Sequence, residues 1–404
     1  MITPLSDQAL NFIASYKDQA VEPLLFKPQI CQQESNTTLV TQIKGRFWAR
    51  HKAPFLLEFP QFRFPLKLAL EQASSEVTAL YKANRIADFL TTSSKGVDLT
   101  AGMGIDAVLL SDRFSQYTVY EKDKLLAELL AFNMQVIQPK ISVINRAAET
   151  ALTELEPVDF IYLDPARRDA RGNKTVRWED CSPNLLELLP ELLQKAKLIG
   201  VKASPMIDIT HSLKILSPYV LEVDLLTNKN ELKEVVFWVA ANGGQSEYIN
   251  VPLNHIYLEN ENTKPLCCTL EQLSQATLEV TDRIEQYLYD PNPSLLKTKG
   301  FRRLDSLFPS LKGLSTSSLL TAPDFLNHFP GRVFECIEVV QFSKNTLKPF
   351  KKQAFSVISK YPKIEASAFK KEYQLRESEE NFLIIVNTGK TQVIHCKKLD
   401  IRSL

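Results

Sequence analysis

Asp98 lies inside a short apolar run, in VDLTAGMGIDAVLL (97–110), and Gly102 and Gly104 follow directly. A second acid, Glu121, closes the run YTVYE (117–121). A third, Asp164, closes VDFIYLD (158–164) just before Pro165. The first two acids, with two glycines beside Asp98, can hold a small polar ligand. The glycines permit a tight turn and let a ligand approach the backbone. An acid within the first run attracts an ammonium group. One at the end of the second can accept both hydroxyls of a ribose.

Two ligand classes compete for the glycine turn. Gly102-Met103-Gly104-Ile105-Asp106-Ala107 fits the dinucleotide pattern G-x-G-x-x-A. A pyrophosphate there would be repelled by Asp98. A ligand with an amino-acid ammonium and a nucleoside ribose would be attracted by Asp98 and Glu121 together, and S-adenosylmethionine is such a ligand. The plain alternative makes Asp98 a turn cap and Glu121 a solvated strand end. Asp164 and the Pro165 carbonyl can accept hydrogen bonds from an amine or ring N–H, which orients a nucleophile and draws off its proton. The alternative makes Asp164 an N-cap and Pro165 a stop signal. DPARRDARGNKTVRWED (164–180) then places Arg167, Arg168, Arg171, Lys174 and Arg177 in one loop, which suits a phosphate-bearing substrate. Trp178 either stacks on a base or anchors packing.

The elements that must position these residues alternate. Strands are expected at 96–100, 117–121, 141–145, 158–164 and 197–204, with helices between them, which implies a parallel sheet covered on both faces. Ser182 and Pro183 are expected to open the helix after the fourth strand, and Pro190 to kink or split it. The runs 219–227 and 234–241 are separated by too short a gap for a helical crossover, so this last pair is expected to be antiparallel. Residues 1–85 read as helical. Ser74 and Ser75 interrupt a long pattern there and can cap a second helix. After residue 244 the rhythm is lost. The stretch 270–304 reads as helix, turn, helix, and a hairpin is expected around Thr388-Gly389-Lys390.

DLTAGMGIDAVLL, YEKDKLLAELLAFN, IYLDPARRD and VKASPMIDI resemble the class I S-adenosylmethionine-dependent methyltransferases. More narrowly, they resemble the bacterial subfamily with a C-terminal THUMP-like domain linked to RNA methylation. The resemblance implies a Rossmann-like α/β fold whose seven-stranded sheet ends in an antiparallel strand. It implies four segments: an N-terminal helical region (1–85), the methyltransferase domain (86–244), a ferredoxin-like connecting domain (245–330) and a THUMP-like domain (331–404). It also assigns Asp98, Thr100, Ala101, Gly102, Met103 and Gly104 to the methionine end of the cofactor, Glu121 to the ribose and Asp164 to the transferable methyl group. Ala147 stands where many relatives place an acid for the adenine amine, so Glu149 or backbone near Ala148 is expected to substitute. Asp164, Pro165 and Arg167 are the expected catalytic group. In 5-methyluridine enzymes with a similar fourth motif, a cysteine nucleophile stands near the end of the fifth strand. Here that place reads VKASPMIDI, and Cys181 is the nearest cysteine in sequence. Nitrogen is therefore the expected methyl acceptor rather than carbon. Lys202 at that strand end either contacts substrate or snorkels. Gln72, Ser74, Ser75, Thr78 and Lys82 lie close in sequence to the first strand, and some are expected to line the cleft, Lys82 toward substrate.

Composition sets the frame. The 404 residues carry a net charge of +1, so attraction to nucleic acid must rest on local patches. One such patch is 342–371, with eight lysines, Lys351 and Lys352 among them, against one glutamate. Phe350, Phe355, Tyr361 and Phe369 are interleaved. They either stack on RNA or form a core under a solvated lysine face. Six scattered cysteines without a CxxC pair point to a reducing compartment and no metal centre. No apolar run approaches the roughly 20 residues of a membrane helix, and the expected location is cytoplasmic. The expected partner is transfer or ribosomal RNA, with no obligate protein partner. The rivals are a methyltransferase of a small molecule or protein, and an RNA-binding protein with a vestigial pocket.

Overall fold

The structure is a computed structural model that describes residues 2–17, 20–91, 94–166, 177–244, 247–259 and 265–399. Arg167, Arg168, Arg171 and Lys174 lie outside the described residues. The chain forms two units. Met1–Val223 with Glu234–Tyr248 is the first, and Asp224–Lys233 with Ile249–Leu404 is the second.

The first unit begins with four helices: α1 (Asp7–Ser15), α2 (Asn36–Lys52), α3 (Lys67–Gln72) and α4 (Glu76–Phe89). The break between α3 and α4 is the expected one, and the Ser75 hydroxyl caps α4 by accepting from the Thr78 N–H. Alternation follows: β1 (Lys95–Asp98), α5 (Ile105–Ser111), β2 (Gln116–Glu121), α6 (Lys124–Ile137), β3 (Ile141–Asn145), α7 (Ala148–Glu154), β4 (Val158–Leu163), α8 (Leu185–Lys195), β5 (Ala196–Ala203), α9 (Ile209–Leu216), β6 (Val220–Asn228) and β7 (Glu231–Val239). Their order in the sheet is β3-β2-β1-β4-β5-β7-β6. β1 through β5 pair in parallel, and β7 pairs antiparallel to β5. Lys229 and Asn230, both with positive φ, make the two-residue turn between β6 and β7. β4 and β5 read as nearly continuous apolar runs because both of their faces are covered.

Two expectations about α8 need correction. Asn184 is its N-cap, not Ser182, and the helix runs through Pro190 unbroken. The N-terminal helices fall within the first unit. Leu56, Phe62, Phe64, Leu70 and Ala79 pack in one core with Met103 and Ile105 of the glycine turn. The turn is therefore buttressed by residues that precede the sheet.

The second unit, which includes Asp224–Lys233 of the β6–β7 hairpin, adds β8 (Leu253–Tyr257) and β9 (Leu266–Cys268) beside β6. It then holds α10 (Leu270–Ser274), β10 (Val280–Thr281), β11 (Tyr287–Pro291), α11 (Pro293–Thr298), β12 (Lys312–Leu314), β13 (Leu320–Ala322), β14 (Gly331–Gln341), α12 (Lys344–Leu347), β15 (Ser356–Ser359), α13 (Ala366–Glu372), β16 (Asn381–Asn387) and β17 (Thr391–Leu399). A second sheet runs β10-β12-β13-β11-β14-β17-β16-β15. β11 pairs with β14, so segments 245–330 and 331–404, expected as two domains, share this sheet. The helix–turn–helix expected over 270–304 is interrupted by β10 and β11. Tyr287, Leu288 and Tyr289 are strand formers, and pairing on both edges outweighs the helical spacing around them. The hairpin at Thr388–Lys390 joins β16 to β17 as expected.

Candidate active site

At the carboxyl end of the parallel strands lies a cavity of about 540 Å³, within the roughly 300–1,000 Å³ usual for small-molecule clefts. Its lining includes Asp98 through Asp106, Glu121, Ala148, Glu149, Asp164, Pro165 and Ala166. Asp98, Glu121 and Asp164 therefore share one cavity. All come from strand ends, where an open parallel sheet places its ligand site.

Asp98 closes β1 between β2 and β4 and is 1% exposed. Its Oδ1 accepts the Thr100 N–H at 2.8 Å, so it caps the turn and lines the cavity at once. Burial pushes its carboxyl well above the usual carboxylate range. The Thr100 N–H offsets this only in part, and the nearby acids Asp106, Asp164 and Glu121 add to it. The cleft is thus a place where a cation is favoured.

Gly102 and Gly104 have φ of +56° and +88°. At Gly102 a Cβ would meet nothing within 4 Å, whereas at Gly104 it would lie 2.6 Å from Leu130 Cδ1. The first glycine therefore keeps open space beside the cavity, and the second lets α5 pack on α6. The side chain of Met103 packs in the core. Glu121 ties the turn to β2. Its Oε2 accepts the Gly102 N–H at 3.0 Å and its Oε1 the Asp123 N–H at 2.8 Å. A carboxylate has about four acceptor positions, so two remain for a ligand. α7 starts at Ala148 with no side-chain cap, and Ala148 and Glu149 both line the cavity.

Asp164 follows β4. Its N–H donates to Thr100 Oγ1 at 2.6 Å, and its Oδ2 accepts from Lys202 Nζ at 2.7 Å. Lys202 also donates to Ser74 Oγ at 2.9 Å. Burial alone would lower this lysine's pKa, but Asp164, Glu234 and Asp106 hold it above the usual lysine range. The alternatives of substrate contact or snorkelling give way to a buried ion pair.

Lys82 is placed differently from the expectation. It is fully buried, and its Nζ lies 2.7 Å from both Asp106 Oδ1 and Glu234 Oε2, 3.0 Å from the Tyr162 hydroxyl and 3.3 Å from Ser74 Oγ. A lysine so enclosed holds α4 to the sheet and does not reach a substrate. Ser74 donates to Asp106 at 2.6 Å, and Thr78 donates to Glu234 at 2.8 Å. Burial works against the charge on Asp106 and on Glu234, but the two lysines outweigh it and keep both carboxyls below their ordinary values. Sequence position singles out Ser74, Thr78 and Lys82 but not their partners Asp106, Glu234 and Tyr162. Ser204 and Met206, which line the cavity just beyond β5, are not among the residues expected there. Their signal was position alone, since strand ends face the cleft.

Trp178 is buried. Its ring N–H donates to Ser212 at 2.9 Å and the ring meets Phe237 edge-on, so it anchors packing rather than stacking on a base. In the second unit Phe350, Phe355 and Phe369 belong to a core, with Tyr361 packed against it. Lys344, Lys348, Lys351, Lys352, Lys363 and Lys371 are exposed. The aromatic residues support this face from beneath. Among the described residues no helix is long and apolar enough to cross a membrane.

No family model matches the chain, and no curated protein does. Among solved structures it is similar to a protein of Porphyromonas gingivalis W83 described as a "putative methyltransferase". The TM-score is 0.81 and the identity 27%, over 98% of this chain and 100% of that one. Two matches cover less of the chain. One is yhhF of Escherichia coli, also a "putative methyltransferase", with 16% identity over 42% of this chain and 87% of that one, and a TM-score of 0.30. The other is TrmK of M. capricolum, in complex with S-adenosyl-homocysteine, with 11% identity over 41% and 69% and a TM-score of 0.31. At those scores neither carries an argument. The likeness to the Porphyromonas protein extends over nearly all of both chains and so takes in the sequence of both units.

Proposed function

We propose that this protein is an S-adenosylmethionine-dependent methyltransferase that acts on a nucleotide of structured RNA, transfer or ribosomal, at nitrogen. One observation carries the cofactor reading. Asp98 and Glu121 line one cavity and are joined through the glycine turn, Asp98 by the Thr100 N–H and Glu121 by the Gly102 N–H. The donor set fits the cofactor. Asp98 is a buried acid that a cation would relieve, Glu121 keeps acceptor positions for a ribose, and Gly102 leaves open space. Bound S-adenosylmethionine supplies an already activated methyl group.

The chain's own residues then have to place a nucleophile. Asp164 sits at the cavity with one oxygen fixed by Lys202, and its carboxylate can accept an N–H and take up the proton released. Pro165 lies beside it on the cavity wall. Arg167 is proposed for the same group from the sequence alone. Nitrogen is favoured because no cysteine among the described residues lines the cavity, and ring-carbon methylation needs such a nucleophile. The RNA reading is supported by the exposed lysines of 344–371, and by the arginines and lysine that follow Pro165 in sequence.

Calorimetric titration with S-adenosylmethionine tests the cofactor. Asp98→Ala and Glu121→Ala should each weaken it by about 1–3 kcal/mol, the scale of a lost buried hydrogen-bond partner. Wild-type affinity in both variants overturns the placement. Asp164→Ala should keep the affinity and lose transfer of labelled methyl to RNA, and undiminished transfer overturns its role. Nucleoside mass spectrometry of RNA from a deletion strain identifies the atom.

A further inference from the structure

Cys336 on β14 stands directly opposite Cys396 on β17 in an antiparallel pair. Directly opposed residues in such a pair project to the same face of the sheet. The Cys336 N–H donates at 2.9 Å to the Gln286 carbonyl. Gln286 immediately precedes β11, which flanks β14 on the edge away from β17. The two cysteines therefore occupy a non-hydrogen-bonded position, where Cα atoms are about 4.5 Å apart and side chains approach most closely. That separation falls at the short end of the roughly 4.4–6.8 Å range a disulfide accepts.

The surroundings agree. Cys396 is fully buried in a core against which Cys336 packs, and Cys336 is itself half-buried. The Cys336 thiol is the first cause pushing the Cys396 thiol up, ahead of burial, which agrees with their opposed places on β14 and β17. A register shift between Cys336 and Glu338 places a bulge beside the pair, and bulges give a strand local freedom of twist. The neighbouring cysteines Cys267 and Cys268 lie on one strand, where successive side chains point to opposite faces.

We propose that Cys336 and Cys396 form a thiol modification site that closes to an intrachain disulfide on exposure to a peroxide, tying the final strand β17 to β14. The inference is independent of the methyl-transfer reading. Cys336, the more accessible thiol, loses its proton and attacks the peroxide. An S–O bond forms, the O–O bond breaks, and the departing hydroxide takes up that proton as water. The sulfur of Cys396 then displaces the sulfenic oxygen of Cys336. The S–S bond forms, the S–O bond breaks, and the oxygen leaves as a second water with the Cys396 proton. Two thiols are oxidised and one peroxide is reduced.

The test uses the full chain, folded, with hydrogen peroxide, followed by iodoacetamide and peptide mass spectrometry. The expected result is a linked peptide pair containing Cys336 and Cys396 in most chains, with a loss of two hydrogens that dithiothreitol reverses. The thermal midpoint of the linked form should rise by roughly 5–10 °C, as for a native-like cross-link over a long loop. In Cys396→Ser, Cys336 should stop at the sulfenic acid and be trapped by dimedone. If wild-type Cys336 stays reduced or passes to sulfinic acid without the link, the proposal is overturned. The wild-type map alone decides this even if the variant does not fold.

Discussion

The ammonium of Lys202 lies 2.7 Å from Asp164 Oδ2 and 2.9 Å from Ser74 Oγ. One side chain from the end of β5 thus joins the acid at the end of β4 to the break between α3 and α4. The break is fixed by the Ser75 cap, and Ser74 beside it also binds Asp106. The candidate catalytic acid is therefore tied, through Lys202, to a helix break 90 positions before it in sequence.

Removing that ammonium leaves Asp106, Glu234 and Asp164 with Lys82 as their remaining buried cation. Lys202→Met should destabilise the first unit by about 3 kcal/mol. This is the low end for breaking a buried pair, because Asp164 is partly open to water. Trp48, Trp178 and Trp238 all belong to this unit, so tryptophan fluorescence during urea unfolding reports it selectively. A loss below about 1 kcal/mol would mean that water replaces the lysine at Asp164.

The two glycines should separate folding from binding. Both have positive φ, so alanine costs about 1–2 kcal/mol at either position from backbone strain alone. At Gly104 the new methyl also collides with Leu130 and Met134, and Gly104→Ala should lower the unfolding midpoint sharply. At Gly102 nothing lies within 4 Å, so Gly102→Ala should stay folded while its methyl projects where a ligand would approach. Differential scanning fluorimetry with and without S-adenosylmethionine distinguishes them. A Gly102→Ala protein with full ligand-induced stabilisation would contradict this view of the turn.

Much of this was legible because it is local. Each strand of the first unit is a short apolar run bounded by turn residues, and the β6–β7 pairing followed from a gap too short to cross over. Asp98 was legible as an acid inside an apolar run, and Glu121 and Asp164 as acids that close one. The lysines were not. Lys82 carries no sign in its own helix that Glu234 waits 152 positions further on, and a polar helical residue reads as exposed until its distant partner is seen. The tail failed for a related reason. Aromatic residues between lysines fit a stacking surface and a core equally well, and the closing of β15, β16 and β17 over Phe350, Phe355 and Phe369 decides for the core. β11 was lost because pairing on both of its edges is non-local.

The exposed lysines still make a prediction if RNA lies along them. Lys351→Glu with Lys352→Glu should weaken binding of structured RNA and flatten its salt dependence, since each lost phosphate contact removes about 0.9 from the slope of log K against log salt on a duplex. Filter binding at several salt concentrations measures this. An unchanged slope would move the RNA surface elsewhere. Binding of S-adenosylmethionine should not change.

Asp98 sets stability against ligand binding. Its folded-state carboxyl is raised by burial and by the acids around it. For a group raised in this direction, the contribution to stability is complete below the unfolded value of about 4 and is lost as pH rises through the folded value. At neutral pH and above, the free protein carries the cost of that acid. Asp98→Asn keeps a side-chain oxygen for the Thr100 N–H and removes the charge. Its thermal midpoint should therefore exceed that of the wild type at pH 8, and the difference should shrink as pH falls toward 5. A cation in the cleft reverses the order, because S-adenosylmethionine stabilises the carboxylate form and should stabilise Asp98→Asn far less. The affinity of the wild type should accordingly rise with pH, with proton release on binding visible as a buffer-dependent enthalpy in calorimetry. If Asp98→Asn is no more stable than wild type at pH 8 and binds the ligand equally well, then Asp98 acts only as the cap of its turn.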